Sequence, residues 1–159
     1  MNVKIKKSSR HSKITGDFTE QLVLYLLSKH GFECSYVDHT GIDILARNPH
    51  TNELMGISVK GRSRNKGKEG TNVGIPKGNF KKVDDACETF GCIPYFAIVV
   101  DEKEKIYTFI ISEKELLKLR PPGKTTWAWA MGEKSLKKYY ANDNIKIFEF
   151  NYRIHNWWK

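Results

Sequence analysis

Asp43 and Lys60 are the residues whose types and surroundings point most directly to chemistry. Each lies in a short apolar segment of strand character, Gly41-Ile42-Asp43-Ile44-Leu45-Ala46-Arg47 and Leu54-Met55-Gly56-Ile57-Ser58-Val59-Lys60. The turn-forming stretch Asn48-Pro49-His50-Thr51-Asn52 joins them. Side chains alternate along a strand, so Ser58 and Lys60 share one face while Ile57 and Val59 share the other. A hairpin of this kind brings an acid, a hydroxyl and an ammonium to one edge of an otherwise apolar sheet. A lone carboxylate there is costly unless it is paired or holds a metal. A carboxylate for a divalent cation, beside a lysine that steadies the attacking water or the developing charge, is what metal-dependent phosphodiester cleavage requires.

The elements that must position these groups are legible in the hydrophobic pattern. A helix is expected over residues 14–30, with Phe18, Leu22 and Leu26 on one stripe, Val23 and Leu27 beside it, and Gly31 at its end. Strands are expected over 32–36, 42–47 and 54–60, then a long basic loop over 61–78 and a second helix over 80–90. The run Pro94-Tyr-Phe-Ala-Ile-Val-Val is the most apolar and reads as a central strand buried on both faces. Residues 106–111 should pair with it across the charged turn Asp101-Glu102-Lys103-Glu104. Ser112 caps a short helix ending near 119. A strand at 127–129, a helix over 135–141 and a strand over 145–150 complete the reading. Residues 1–13 read as a basic arm, and residues 14–159 as one domain.

In order and placement these residues resemble the PD-(D/E)xK nuclease superfamily, which includes restriction enzymes and Holliday junction resolvases. Ile42-Asp43 looks like its Pro-Asp element, Ser58-Val59-Lys60 like its acid-x-Lys element, and Glu20 like the acid on its first helix. The resemblance covers roughly residues 14–112. It implies a restriction-endonuclease-like α/β fold with an α-β-β-β-α-β core, a mixed sheet flanked by helices. It further implies a magnesium-dependent endodeoxyribonuclease, with Mn2+ as substitute, in which Glu20, Asp43, Ser58 and Lys60 form the catalytic site. Asp43, Glu20 and the Val59 carbonyl would hold the metal. One position departs from the pattern: residue 58 is Ser, where the family places an acid, and a neutral hydroxyl is a poorer ligand for a hard cation.

Composition agrees with a nucleic-acid partner. Lys and Arg number 27 against 18 Asp and Glu, giving a formal net charge of +9 over 159 residues. Arg62, Arg64, Lys66, Lys68, Lys77, Lys81 and Lys82 crowd the segment after Lys60 and form the expected contact surface for DNA phosphates. The three cysteines, Cys34, Cys87 and Cys92, are an odd count without zinc-site spacing, so ordinary thiols in a reducing cytoplasm are expected. No apolar run is long enough to span a bilayer, and no membrane partner is expected. Cutting both strands of a duplex needs two sites, which makes a homodimer attractive.

Several features have ordinary readings beside the chemical ones. Asp17-Phe18-Thr19-Glu20 also reads as a capping-box variant, with Glu20 serving a backbone amide. Asp43 could be a turn residue and Lys60 a solvated strand end. Gly123-Lys124-Thr125 is no phosphate-binding loop, because Lys118 stands where the first glycine would fall. Trp127 and Trp129 read as core, whereas Trp157-Trp158 either covers the body or joins a partner. Two other functions therefore stay open. One is a non-catalytic nucleic-acid-binding or assembly protein on a degraded nuclease fold, favoured by Ser58. The other is a basic protein that binds a protein partner through its tryptophan-bearing end.

Overall fold

The apolar stripe of the first helix decides how the chain begins to fold. In a computed structural model, which describes residues 5–158, helix α1 (His11–Lys29) buries Val23, Leu26 and Leu27. It begins about one turn before the expected start, at His11. Its first turns have little to bury, and Ile14 and Phe18 are exposed there. One local and one distant hydrogen bond hold them instead: Thr15 Oγ1 donates to the His11 carbonyl at 2.7 Å, and His11 Nε2 lies 3.0 Å from Ser63 Oγ. Lys13, expected in the arm, is therefore helical. Glu20 falls mid-helix and Arg10 occupies the N-cap, so the capping-box reading of Glu20 is overturned.

Strands β1 (Glu33–Tyr36), β2 (Ile44–Arg47) and β3 (Leu54–Ser63) follow as an antiparallel meander. Strand β4 (Val73–Pro76) and helix α2 (Lys77–Phe90) then carry the chain to β5 (Ile93–Glu102), which pairs with β3 in parallel. Parallel pairing requires such a crossover. Strand β6 (Lys105–Ser112), helix α3 (Glu113–Leu119), strand β7 (Thr126–Trp129), helix α4 (Glu133–Tyr140) and strand β8 (Lys146–Asn151) complete the order. The main sheet runs β1-β2-β3-β5-β6-β8, with β4 and β7 forming a separate ribbon. The expected α-β-β-β-α-β core is present, and β5 is its central, buried strand as its composition required.

Two apolar layers sandwich the sheet. On one face α1 packs on Ile44, Ala46, Met55, Ile57, Val59, Ala97 and Val99. On the other, Phe80 and Val83 of α2 join Phe96, Ile98, Phe109, Leu116, Trp127, Trp129 and Tyr139. Trp127 and Trp129 are core residues, as expected. The expectation of a loop over 61–78 is corrected: β3 continues to Ser63, and Val73 and Ile75 form β4 by pairing with Trp129 and Trp127. Val-Gly-Ile-Pro is too short and too polar in its surroundings to announce a strand. It becomes one because a distant aromatic strand buries Val73 and Ile75 completely. The cap on α3 is as expected, with Ser112 Oγ accepting from the Glu115 amide at 3.2 Å.

Candidate active site

The register of β2 against β3 creates the site. Their pairing ends at Ile44 and Ile57, yet β3 runs on to Ser63. From Ser58 onward β3 therefore has no β2 partner on that edge. Asp43 lies one residue before β2, at this fork. Its backbone still closes the ladder, the amide donating to the Ile57 carbonyl at 2.8 Å and its carbonyl accepting from the Val37 amide at 2.9 Å. Its side chain turns across the gap, and Oδ2 accepts from the Val59 amide at 2.7 Å. A carboxylate oxygen thus takes the place of the missing strand partner, which fixes the orientation of the acid.

Glu20 reaches the same point from α1. Burial raises its carboxyl above the ordinary value, and the Asp43 charge and a hydrogen bond between the two carboxyls raise it further. Burial likewise raises Asp43, opposed by the Val59 amide, by Lys60 and by Glu20. The contact between the two acids acts in opposite senses, favouring the protonated form of Glu20 and the charged form of Asp43. Lys60 comes from the opposite face. Its ammonium is half-buried and donates to Asn79 Oδ1 of α2 at 3.1 Å. Burial holds its pKa down, Arg62 and Lys82 add to that, and Asp43 opposes. Ser58 shares the Lys60 face as alternation requires, and is 3 % exposed.

Two glycines let the walls approach. A Cβ on Gly61 would lie 2.3 Å from Thr19 Oγ1, so α1 presses on bare backbone one residue before Glu20. A Cβ on Gly41, at φ +119°, would lie 2.2 Å from the Lys82 carbonyl, so α2 presses on the turn before Asp43. Sequence reasoning missed Asn79, Thr19 and both glycines. Gly61, directly after Lys60 in a strand pattern, did carry a signal of close backbone approach. Asn79 carried none.

The basic residues divide into three groups. Arg62 Nη1 donates to the Gly61 carbonyl at 2.7 Å, and Arg64 Nη2 to the Asn72 carbonyl at 3.1 Å, so both guanidiniums brace backbone. Lys66 and Lys68 lie on the exposed arc beyond them. Lys77, Lys81 and Lys82 belong to α2, where Lys81 pairs with Asp85 at 2.7 Å. Among the described residues no group of three or more His, Cys, Asp or Glu side chains is arranged to hold a metal ion, and no helix is long and apolar enough to cross a membrane. A groove of about 710 Å³, walled by Leu27, Phe32, Met55, Tyr95, Ile147 and Phe148, contains none of the candidate residues.

No family model matches the sequence, and no curated protein matches it. Solved structures do. One is a Holliday junction resolvase, Hjc of the archaeal hyperthermophile Archaeoglobus fulgidus. It is 18 % identical, with a TM-score of 0.52 over 74 % of this chain and 91 % of the resolvase. At that identity the likeness speaks for architecture alone, and the architecture is plain: this chain has the restriction-endonuclease-like α/β fold.

Proposed function

We propose that this chain is a metal-dependent endonuclease that hydrolyses DNA phosphodiester bonds. The observation that carries this reading is the meeting of two carboxyls and an ammonium at the edge where β2 leaves β3. Two adjacent, partly buried carboxyls offer hard oxygen donors, and a divalent cation would take the place of the proton that their contact favours on Glu20. Asp43 and Glu20 would hold Mg2+, or Mn2+ in its place, with water and the Val59 carbonyl, which points to the same strand edge as its amide. When bound, the cation supplies Lewis acidity at the phosphate and acidifies water.

The chain's own groups do the rest. The Val59 amide fixes one Asp43 oxygen and so sets the orientation of the carboxylate. Lys60 presents its ammonium to the phosphate and offsets the charge that grows on its oxygens as water attacks. Lys66, Lys68, Lys77 and Lys82 would hold the flanking backbone. Arg62, Arg64 and Lys81 belong to the same surface, with their ends partly engaged by protein. The resolvase named above makes branched DNA the first substrate to try. A homodimer would supply the second site that two-strand cutting needs.

Ser58 favours a second reading, a non-catalytic nucleic-acid-binding or assembly protein on the same fold. The test is incubation of the pure protein with plasmid, branched DNA and RNA under Mg2+ and under Mn2+. Asp43→Ala should abolish cleavage and leave DNA affinity within about twofold, because it removes a metal ligand and no phosphate contact. Ser58→Glu should tighten Mn2+ binding. A wild type inert under both metals, with Ser58→Glu creating neither cleavage nor metal affinity, would establish the second reading.

A further inference from the structure

Lys60 is drawn to Asp43 by charge but does not touch it. The ion pairs among the described residues are Lys13–Asp17, Lys81–Asp85, Lys105–Glu149, Lys118–Glu115 and Lys137–Glu133, and none includes Lys60. The ammonium points instead at a neutral acceptor, Asn79 Oδ1, at 3.1 Å. Asn79 is the third residue of α2 and half-buried. Its helix is held against the turn before Asp43 by the Gly41–Lys82 contact. Asn79 and Asp43 are therefore carried by two packed elements, with Lys60 between them on β3.

We propose that Asn79 is a positioning residue that holds the Lys60 ammonium apart from Asp43, keeping open the space in which a cation and a phosphate would sit. This deepens the nuclease reading and rests on it. A lysine free to choose would fold onto the nearest carboxylate, because a charged acceptor binds an ammonium more strongly than a neutral one. That collapse would occupy the Asp43 oxygen left free by the Val59 amide and remove the ammonium from the phosphate. Three charges act on the lysine: Asp43 from the strand fork, Arg62 on β3 and Lys82 on α2. Among these only Asp43 attracts it. Asn79 is the acceptor on the other side.

The competing account makes Asn79 an ordinary polar residue in the first turn of α2, satisfying the helix start. Two nearly isosteric variants separate the two accounts. Asn79→Asp keeps an acceptor for Lys60, and Asn79→Leu removes it. On DNA, Asn79→Leu should lower kcat about tenfold or more with KM unchanged, the scale of one lost hydrogen bond to a charged group. Asn79→Asp should stay within a few-fold of wild type.

A second measurement needs no cleavage. Mn2+ affinity is read in wild type, Asn79→Leu, Lys60→Met and the double variant. Asn79→Leu should weaken Mn2+ about tenfold, and that loss should vanish when Lys60 is Met, since no ammonium remains to collapse. The 1H–15N signal of the Lys60 ammonium, visible when it is hydrogen-bonded and shielded from exchange, should persist in Asn79→Asp and move or vanish in Asn79→Leu. An unchanged signal in Asn79→Leu, or Mn2+ losses that simply add, would overturn the proposal. If the signal responds while wild type neither binds Mn2+ nor cuts any substrate, the spacing role stands and the nuclease reading falls.

Discussion

Replacing Gly61 with alanine tests whether the contact between α1 and β3 sets the distance between the two acids. The added Cβ would lie 2.3 Å from Thr19 Oγ1, 2.6 Å from Cγ2 and 2.8 Å from Cβ. Rotating Thr19 relieves the first two clashes, but the third is fixed to the helix. Restoring an ordinary contact of 3.4 Å needs a shift of roughly half an ångström from Thr19 Cβ, and about 1 Å if Oγ1 keeps its place. Thr19 is 3 % exposed, so the helix cannot yield by turning the side chain to solvent. Overpacking on this scale costs about 1–3 kcal/mol, which lowers the Tm of a domain this size by roughly 4–8 °C near the middle of that range. Glu20 is the next residue, so the same displacement moves its carboxyl away from Asp43. Mn2+ affinity, read by calorimetry, should then fall about tenfold, as misplacements near 1 Å are felt strongly at such sites. Adding Thr19→Ala removes two of the three clashing atoms and should recover part of both losses. Unchanged Tm and Mn2+ affinity in Gly61→Ala would refute the reasoning and show that α1 is not held by this contact.

Other expectations follow from the same geometry. Lys66→Gln with Lys68→Gln should flatten the salt dependence of DNA binding, by about 0.9 in the slope of log K for each phosphate the variant no longer neutralises. Titration at several salt concentrations measures that slope. Arg62 and Arg64 are poor targets for the same test, because replacing them also unbraces the backbone. Glu113, half-buried with Asp84 beside it, is pushed up to about 8, chiefly by burial. Its folded pKa lies above the unfolded value, so the fold binds the extra proton and stability declines as pH rises from 4.5 to about 8. Glu113→Gln should flatten that decline in thermal melts, and an unaltered slope would assign it to other groups. Lys103 and Glu104 turn the β5–β6 hairpin with φ of 55° and 54°, values that suit Asn-Gly far better. The double replacement should raise stability by about 1 kcal/mol in urea melts, and no gain would mean that the turn is relaxed.

How much the sequence revealed depended on range. Asp43 and Lys60 stood out because their disruption of an apolar alternation is visible within a few residues. The order of the main strands was readable for the same reason, and β5 announced its central place by an unbroken apolar run. Ser112 and Glu115 declared a helix start through a local bond. What stayed hidden depended on distant partners. Strand β4 exists because Trp127 and Trp129 lie across from it, some fifty residues away in sequence. The start of α1 rests partly on Ser63, and Asn79 acquires its partner only when α2 packs beside the end of β3. Arg62 and Arg64 show the converse. Their charge density pointed to phosphates, yet both guanidiniums also donate to nearby backbone carbonyls, which a count of charges does not reveal.

The arc between β3 and β4 is fastened at both ends to the β5–β6 hairpin. The Arg64 amide donates to the Asp101 carbonyl at 2.8 Å, and the Gly70 amide to Glu102 Oε2 at 2.8 Å. Closing this loop has thus been paid for during folding rather than at the moment of encounter. A polyanion arriving at Lys66 and Lys68 meets a shape already set, so its capture rate follows diffusion and electrostatic steering instead of waiting on a segment to order. Docking of that kind carries only a small change in heat capacity, unlike the large one of a segment that folds as it binds. Cutting the fastening with Glu102→Ala would turn the arc into a tether, trading rapid capture for reach.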